Sequence, residues 1–308
     1  MDTSAFLSQV RRAVQLDSND ETYPAADILT EATQALYERF AQPMQAIQQG
    51  YGVQRKTTAL VVGQARYRMP PRAVVQGLQK LEVSGNNGLD WYQLRILTPS
   101  DETYASSTTG NGPSHFALEG DTVRIYPTPQ TAWLLRMTYY IRPSQLVAAR
   151  TGGIVSSATS GTIVVTNSTV PTNMSTSGYL DVIHTTGCNE IVLADVPYTW
   201  PGGTTITLTL DTGQDTAMIL AGDVVRAADE TDYVPLPIEM HQALVSFTSA
   251  TILLNKGDKE KAAQYVSKAE SAIKRVIDAA VPRVKTQPFY LRTRNTYLRR
   301  NLGRWGWR

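Results

Sequence analysis

The chain has 308 residues, 42% apolar and 18% charged, enough for two domains or for one domain with a large insertion. Its single cysteine, Cys188, excludes an internal disulfide and a cysteine-based metal site, and no apolar run approaches the roughly 18 residues of a membrane helix. The net charge of +2 conceals a segregation: residues 151–225 hold six acids and no Lys or Arg, while residues 283–308 hold eight cations and no acid.

Met1–Val14 lacks the basic segment and apolar run of a secretory signal, so a soluble protein made in the cytosol is expected. Ser4–Val14 reads as a short helix, and the polar run Leu16–Tyr23 follows it. Pro24 then stands where a helix start tolerates proline. Ala25–Ala41 carries Ile28, Leu29, Ala32, Ala35, Leu36 and Phe40 at helical spacing. Pro43 bends or ends this helix, and Gly50 and Gly52 mark the exit.

From Thr57 to Ile141 the apolar period shifts toward two. Leu78–Val83, Trp91–Leu97, Thr122–Tyr126 and Leu134–Ile141 read as strands. Phe116–Tyr126 reads as a hairpin turning at Gly120-Asp121, with Val123 and Ile125 inward and Arg124 and Tyr126 outward. Pro127 and Pro129 close it, since neither donates to a ladder. Gly152–Val225 is rich in Thr, Ser and Gly, with β-branched runs at Thr162–Thr166, Glu190–Leu193 and Thr204–Leu210. This pattern predicts a small all-β module, a sandwich or barrel, inserted between Arg150 and Arg226.

Helix resumes at Pro235. Leu236–Asn255 is followed by Lys256-Gly257-Asp258, which supplies a stop and the next N-cap. Asp258–Ala280 places Val266, Ala269, Ile273, Val276 and Ala280 on one face, so an αα-hairpin is predicted. The fold class expected is α+β: a helical bundle from the N- and C-terminal segments, a central β region, an inserted all-β module and an extended C-terminal arm. The corresponding divisions are 1–150, 151–225, 226–282 and 283–308.

The arm threads Phe289, Tyr290, Tyr297, Trp305 and Trp307 among its cations. Three readings stand: a nucleic-acid arm with salt-sensitive phosphate contacts, a protein-docking arm whose Arg and Trp residues act as anchors, and a frayed terminus. Two tryptophans in the last four residues are costly to leave in water, which favours docking. The acidic block and the basic arm together suggest electrostatic complementarity between copies or with a partner.

Catalytic patterns are weak. His115, His184 and His241 stand in unrelated contexts, and no zinc-protease helix motif, phosphate loop or nucleophile elbow occurs. Asp211-Thr212-Gly213 after an apolar run matches the aspartic-protease pattern, which requires two carboxylates sharing a proton. Gln214 stands where that family places a small residue, and Asp-Thr-Gly is ordinary turn chemistry. No enzyme activity, cofactor or metal is expected.

Two stretches resemble bacteriophage head-to-tail connector proteins, also called adaptor or head-completion proteins. The first is Leu118-Glu-Gly-Asp-Thr-Val-Arg-Ile-Tyr-Pro-Thr-Pro129 with the following Leu134–Ile141 strand and Arg142-Pro143. The second is Val234-Pro-Leu-Pro-Ile-Glu-Met-His241 with Lys256-Gly-Asp258 and Tyr265 through Arg283, and Ala25–Glu31 is similar to that family's opening helix. The resemblance implies a ring, usually of twelve subunits, beneath the portal protein, with a tail protein below and DNA passing non-specifically through its channel. It implies a virion protein with no membrane contact, assembled in the host cytoplasm. Carried onto this sequence, the portal-docking set is Arg292, Arg294, Tyr297, Arg299, Arg300, Arg304, Trp305 and Trp307. The acidic β block departs from simpler members. Another virion ring protein, such as a tail-completion or terminator protein, and a nucleic-acid-binding module are the rival expectations.

Overall fold

In the computed structural model, which describes residues 1–17, 22–41, 43–44, 50–97, 112–148, 153–159, 161–166, 174–186, 189–210, 214 and 216–280, the chain opens on α1 (Thr3–Val14). Asp2 caps it: its carboxylate accepts from the Ala5 N–H at 2.8 Å, relieving an orphan donor of the first turn. Arg11 and Arg12 in the last turn suit the negative end of the helix dipole. Next, α2 (Ala25–Ala35) starts behind Pro24 and widens into a π-helical turn at Leu36–Phe40. The closing helices are α3 (Ile238–Asn255) and α4 (Lys259–Ala280), separated by Gly257 at φ 86°, a conformation that favours glycine.

These helices share one core. Phe6, Val10, Ile28, Leu29, Leu36 and Phe40 meet Leu244, Val245, Phe247 and Ile273. The ring of Phe40 meets that of Phe247 edge-on at 5.8 Å. α3 is buried nearly all round because α1, α2 and α4 pack against it, so its sequence lacks a polar face. Its buried Thr248 hydroxyl returns to the Leu244 carbonyl at 3.0 Å. The chain start is tied in as well: Thr3 N–H donates to the Asp232 carbonyl and Val234 N–H to that of Met1.

The middle of the chain forms two four-stranded sheets. β1 (Val53–Ala59), β3 (Ala73–Ser84), β4 (Tyr92–Gln93) and β8 (Leu134–Ile141) make one, in the order β1-β8-β3-β4. β2 (Arg66–Arg68), β5 (Arg95–Ile96), β6 (His115–Glu119) and β7 (Thr122–Tyr126) make the other, in the order β2-β7-β6-β5. Leu81, Val83, Leu135 and Met137 from the first share a core with Phe116, Val123 and Ile125 from the second. β1 escapes the sequence pattern because Val53-Gln-Arg-Lys-Thr-Thr-Ala59 is polar; its register with β8, Val53 opposite Tyr140 through Ala59 opposite Leu134, makes it a strand.

Tyr126, expected outward, is only 4% exposed. It packs with Ala117 and Leu97, and the Arg124 guanidinium lies 4.9 Å over its ring. Alternation assigns a residue to a face, but what covers that face is a tertiary matter.

After β9 (Gln145–Leu146) comes a closed six-stranded barrel. Its strands are β10 (Gly153–Thr159), β11 (Thr162–Val165), β12 (Ser177–Ile183), β13 (Ile191–Thr199), β14 (Thr205–Leu208) and β15 (Val224–Ala227), ordered β10-β11-β14-β13-β12-β15. Val155, Ile163, Leu180, Val196, Ile206 and Val225 fill its interior. Arg226, expected to bracket the module from outside, lies within the closing strand. β16 (Glu230–Thr231) then pairs in parallel with β9 before α3.

Candidate functional site

The charged joint between sheets and barrel is built around Arg72. The turn Pro70-Pro71 ahead of β3 presents it, and its carbonyl is held by the Arg142 N–H at 2.9 Å. The side chain is 5% exposed, with Nη1 2.7 Å from Asp181 Oδ2 and 3.3 Å from Asp195 Oδ1. Nη2 donates to Ser144 Oγ at 2.8 Å, and Nε stands 3.2 Å from Asp229 Oδ1. One guanidinium thus joins the sheet region, the β8–β9 connection, the barrel and the segment leaving the barrel.

A β-bulge creates the acceptor side. Leu180 opposes Val196 and Val182 opposes Leu193, so Asp181 faces two residues of β13 rather than one. Asp195 takes a left-handed backbone (φ 52°) and its N–H donates to Asp181 Oδ1 at 2.9 Å. Asp229 is also left-handed (φ 70°), and its N–H reaches Asp181 Oδ2 at 3.2 Å. Burial pushes the Asp181 carboxyl up from the ordinary range, against the pull of Arg72. The guanidinium is disfavoured by burial as well, yet Asp181, Asp195 and Asp229 together raise its pKa. Beside this hub, Arg226 and Asp232 form a buried fork, Nη2 to Oδ2 at 2.6 Å and Nε to Oδ1 at 3.2 Å.

Three of the six acids of residues 151–225 are therefore engaged inside the fold. Asp181 and Asp195 are held by Arg72, and Asp223 by His184 Nδ1 at 2.7 Å. Glu190 is half-buried, and burial raises its pKa against the influence of His184. Asp211 and Asp215 lie outside the described residues. An acidic barrel face awaiting the basic arm does not form at the three acids so engaged.

The histidines take three roles. His184 links Asp223 to the Thr186 hydroxyl, an order also found in nucleophilic triads. Here Asp223 additionally accepts from the Leu220 N–H at 2.8 Å and the Thr185 hydroxyl donates to the Gly222 carbonyl, so the relay clasps the 220–223 turn to the end of β12. Sequence reading missed this because Asp223 is distant in the chain. His241 is buried in α3 with Nε2 donating to the Leu236 carbonyl at 2.8 Å; burial lowers its pKa, keeping the ring neutral. His115 meets Ser114 at the surface. Among the described residues, no group of three or more His, Cys, Asp or Glu could hold a metal ion, and no helix is long and apolar enough to cross a membrane.

The sequence-derived docking set, Arg292, Arg294, Tyr297, Arg299, Arg300, Arg304, Trp305 and Trp307, lies outside the described residues, as do Cys188 and Asp211-Thr212-Gly213. α4 carries the chain to Ala280, at the threshold of the arm.

A family model described as SU10 adaptor protein matches residues 1–168. That range carries α1, α2, both sheets and the first two barrel strands, including Arg72. No curated protein matches the chain. The Val234–Arg283 stretch that also resembles connectors lies beyond the matched range. With 168 of 308 residues matched, the chain belongs to the SU10 adaptor proteins, a family of phage head–tail adaptors that are structural proteins of the virion and contact other phage structural proteins.

Proposed function

We propose that this adaptor forms a closed ring, of twelve subunits, that joins the portal vertex to the tail and surrounds the DNA channel. The family match over residues 1–168 carries the reading. The arm's composition supports its second half: eight cations and five aromatics in 26 residues suit a segment that finds burial on another molecule. A ring closes through heterologous contacts whose rotation returns on itself, and repetition around it makes weak individual docking sufficient. Arg292, Arg294, Tyr297, Arg299, Arg300, Arg304, Trp305 and Trp307 are the residues assigned to docking, with the portal as their main target. The role is architectural rather than catalytic, DNA contacts are non-specific, and assembly takes place in the host cytoplasm.

The test is truncation after Pro282. Portal binding, followed by co-sedimentation of the two purified proteins, is expected to disappear while the thermal midpoint of the remaining chain stays put. Retained portal binding with loss of DNA binding alone would instead establish the nucleic-acid reading of the arm.

A further inference from the structure

With Asp181, Asp195 and Asp223 of the barrel already engaged, the N-terminal segment offers the arm a second acidic complement. Between Arg12 and Arg39 the sequence has no Lys or Arg but six acids: Asp17, Asp20, Glu21, Asp27, Glu31 and Glu38. Two of these, Asp27 and Glu31, border a groove of about 280 Å³ between the start of α2 and the end of α3. Ile28 and Ile252, each 1% exposed, lie along it, and Tyr23 and Asn255 complete the walls.

The groove has the chemistry of a guanidinium receptor. Asp27 and Glu31 are one helical turn apart, an i,i+4 pair of like charges that destabilises a helix unless a cation comes between them. Among the described residues neither carboxylate has an ion-pair partner. The Tyr23 ring already attracts a cation, the Lys256 ammonium 5.6 Å from its centroid. A planar guanidinium can lie against such a ring while its fork engages a carboxylate, a combination lysine cannot match.

We propose that this groove receives the proximal arginines of the arm, Arg292 and Arg294, from a second copy of the chain. The proposal rests on the reading that the arm leaves its own subunit. α4 runs back from the groove's end of the α3–α4 hairpin, so the arm departs about 33 Å away, at 1.5 Å per residue over 22 residues. Arg292 and Arg294 stand 12 and 14 residues past Ala280, within reach of about 40–46 Å of extended chain. That span covers the hairpin and leaves Arg299 to Trp307 free for the portal. The arm's +8 meets the −6 of residues 13–38, giving the contact a single direction from one copy to the next.

Full-length Asp27→Asn/Glu31→Gln should self-associate at least tenfold more weakly than the wild type in sedimentation velocity at low salt. Its association should also depend less on salt, and portal binding should persist. The charge swap, Asp27→Arg/Glu31→Arg combined with Arg292→Glu/Arg294→Glu, should recover association, which shows at the same time that the altered surface is folded. A monomeric wild type, unchanged association in the neutralised variant, or no recovery in the swap would each overturn the proposal. So would loss of portal binding with self-association intact, which would assign the groove to the portal. Portal binding abolished by truncation after Pro282, with self-association unaffected, would retain the portal reading and sink this one.

Discussion

Replacing Arg72 by Met tests whether the joint is held by charge. The substitution removes the 2.7 Å bond to Asp181, the 3.3 Å contact with Asp195 and the 2.8 Å bond to Ser144, while approximately filling the aliphatic volume. Asp181, 0% exposed, keeps only the Asp195 and Asp229 backbone donors. Removing one member of a buried ion pair costs ~3–5 kcal/mol, because the remaining charge is stranded. At ~2–4 °C per kcal/mol, the transition of the barrel and its joint should fall by roughly 6–20 °C in scanning calorimetry at pH 7.5. The cost must also depend on pH. Burial already raises the Asp181 carboxyl, and losing Arg72 raises it further, so the folded variant gains a proton as the pH falls while the unfolded chain does so only near ~3.9. The deficit relative to wild type should therefore shrink between pH 7.5 and pH 5. A deficit under about 1 kcal/mol, or one that grows on acidification, would refute the reasoning. Adding Asp181→Asn to the variant should return part of the loss.

Two further outcomes follow from packing and burial. A Cβ at Gly112 would collide with Cζ2 of the Trp133 ring, so Gly112→Ala should displace the indole. That should cost ~1–3 kcal/mol and alter tryptophan emission, whereas an unshifted spectrum and midpoint would contradict the close approach. His241 is held neutral by burial, so its contribution is complete above the unfolded pKa of about 6.5 and is lost as the pH falls toward the lower folded value. Urea unfolding at pH 7.5 and 5.5 should show a flatter pH dependence for His241→Phe than for wild type; equal slopes would count against a buried neutral ring.

Periodic elements were legible because local physics specifies them. Thr122–Tyr126 and Leu134–Ile141 carry enough alternation to be read as strands, and Gly257-Asp258 breaks the closing helices by conformation and capping. β1 and the outward side of Tyr126 were not legible, since a polar strand and a covered second face are made by partners far along the chain. The Arg72 hub was hidden for the same reason: its carboxylates lie 109, 123 and 157 residues downstream of the arginine they hold.

The amino-acid sequence alone determined the alternation of helical and β segments, the Thr/Ser-rich all-β insert, the lack of a recognisable catalytic motif, and an arm whose cations and aromatics suit an external partner. Only the tertiary structure decided that the insert closes into a barrel and that two of its acids, Asp181 and Asp195, turn toward one arginine, Arg72, from the turn ahead of β3. The reason is electrostatic: linear charge counts register which residues are acidic, but burial and the approach of a distant guanidinium determine which acids remain available at the surface.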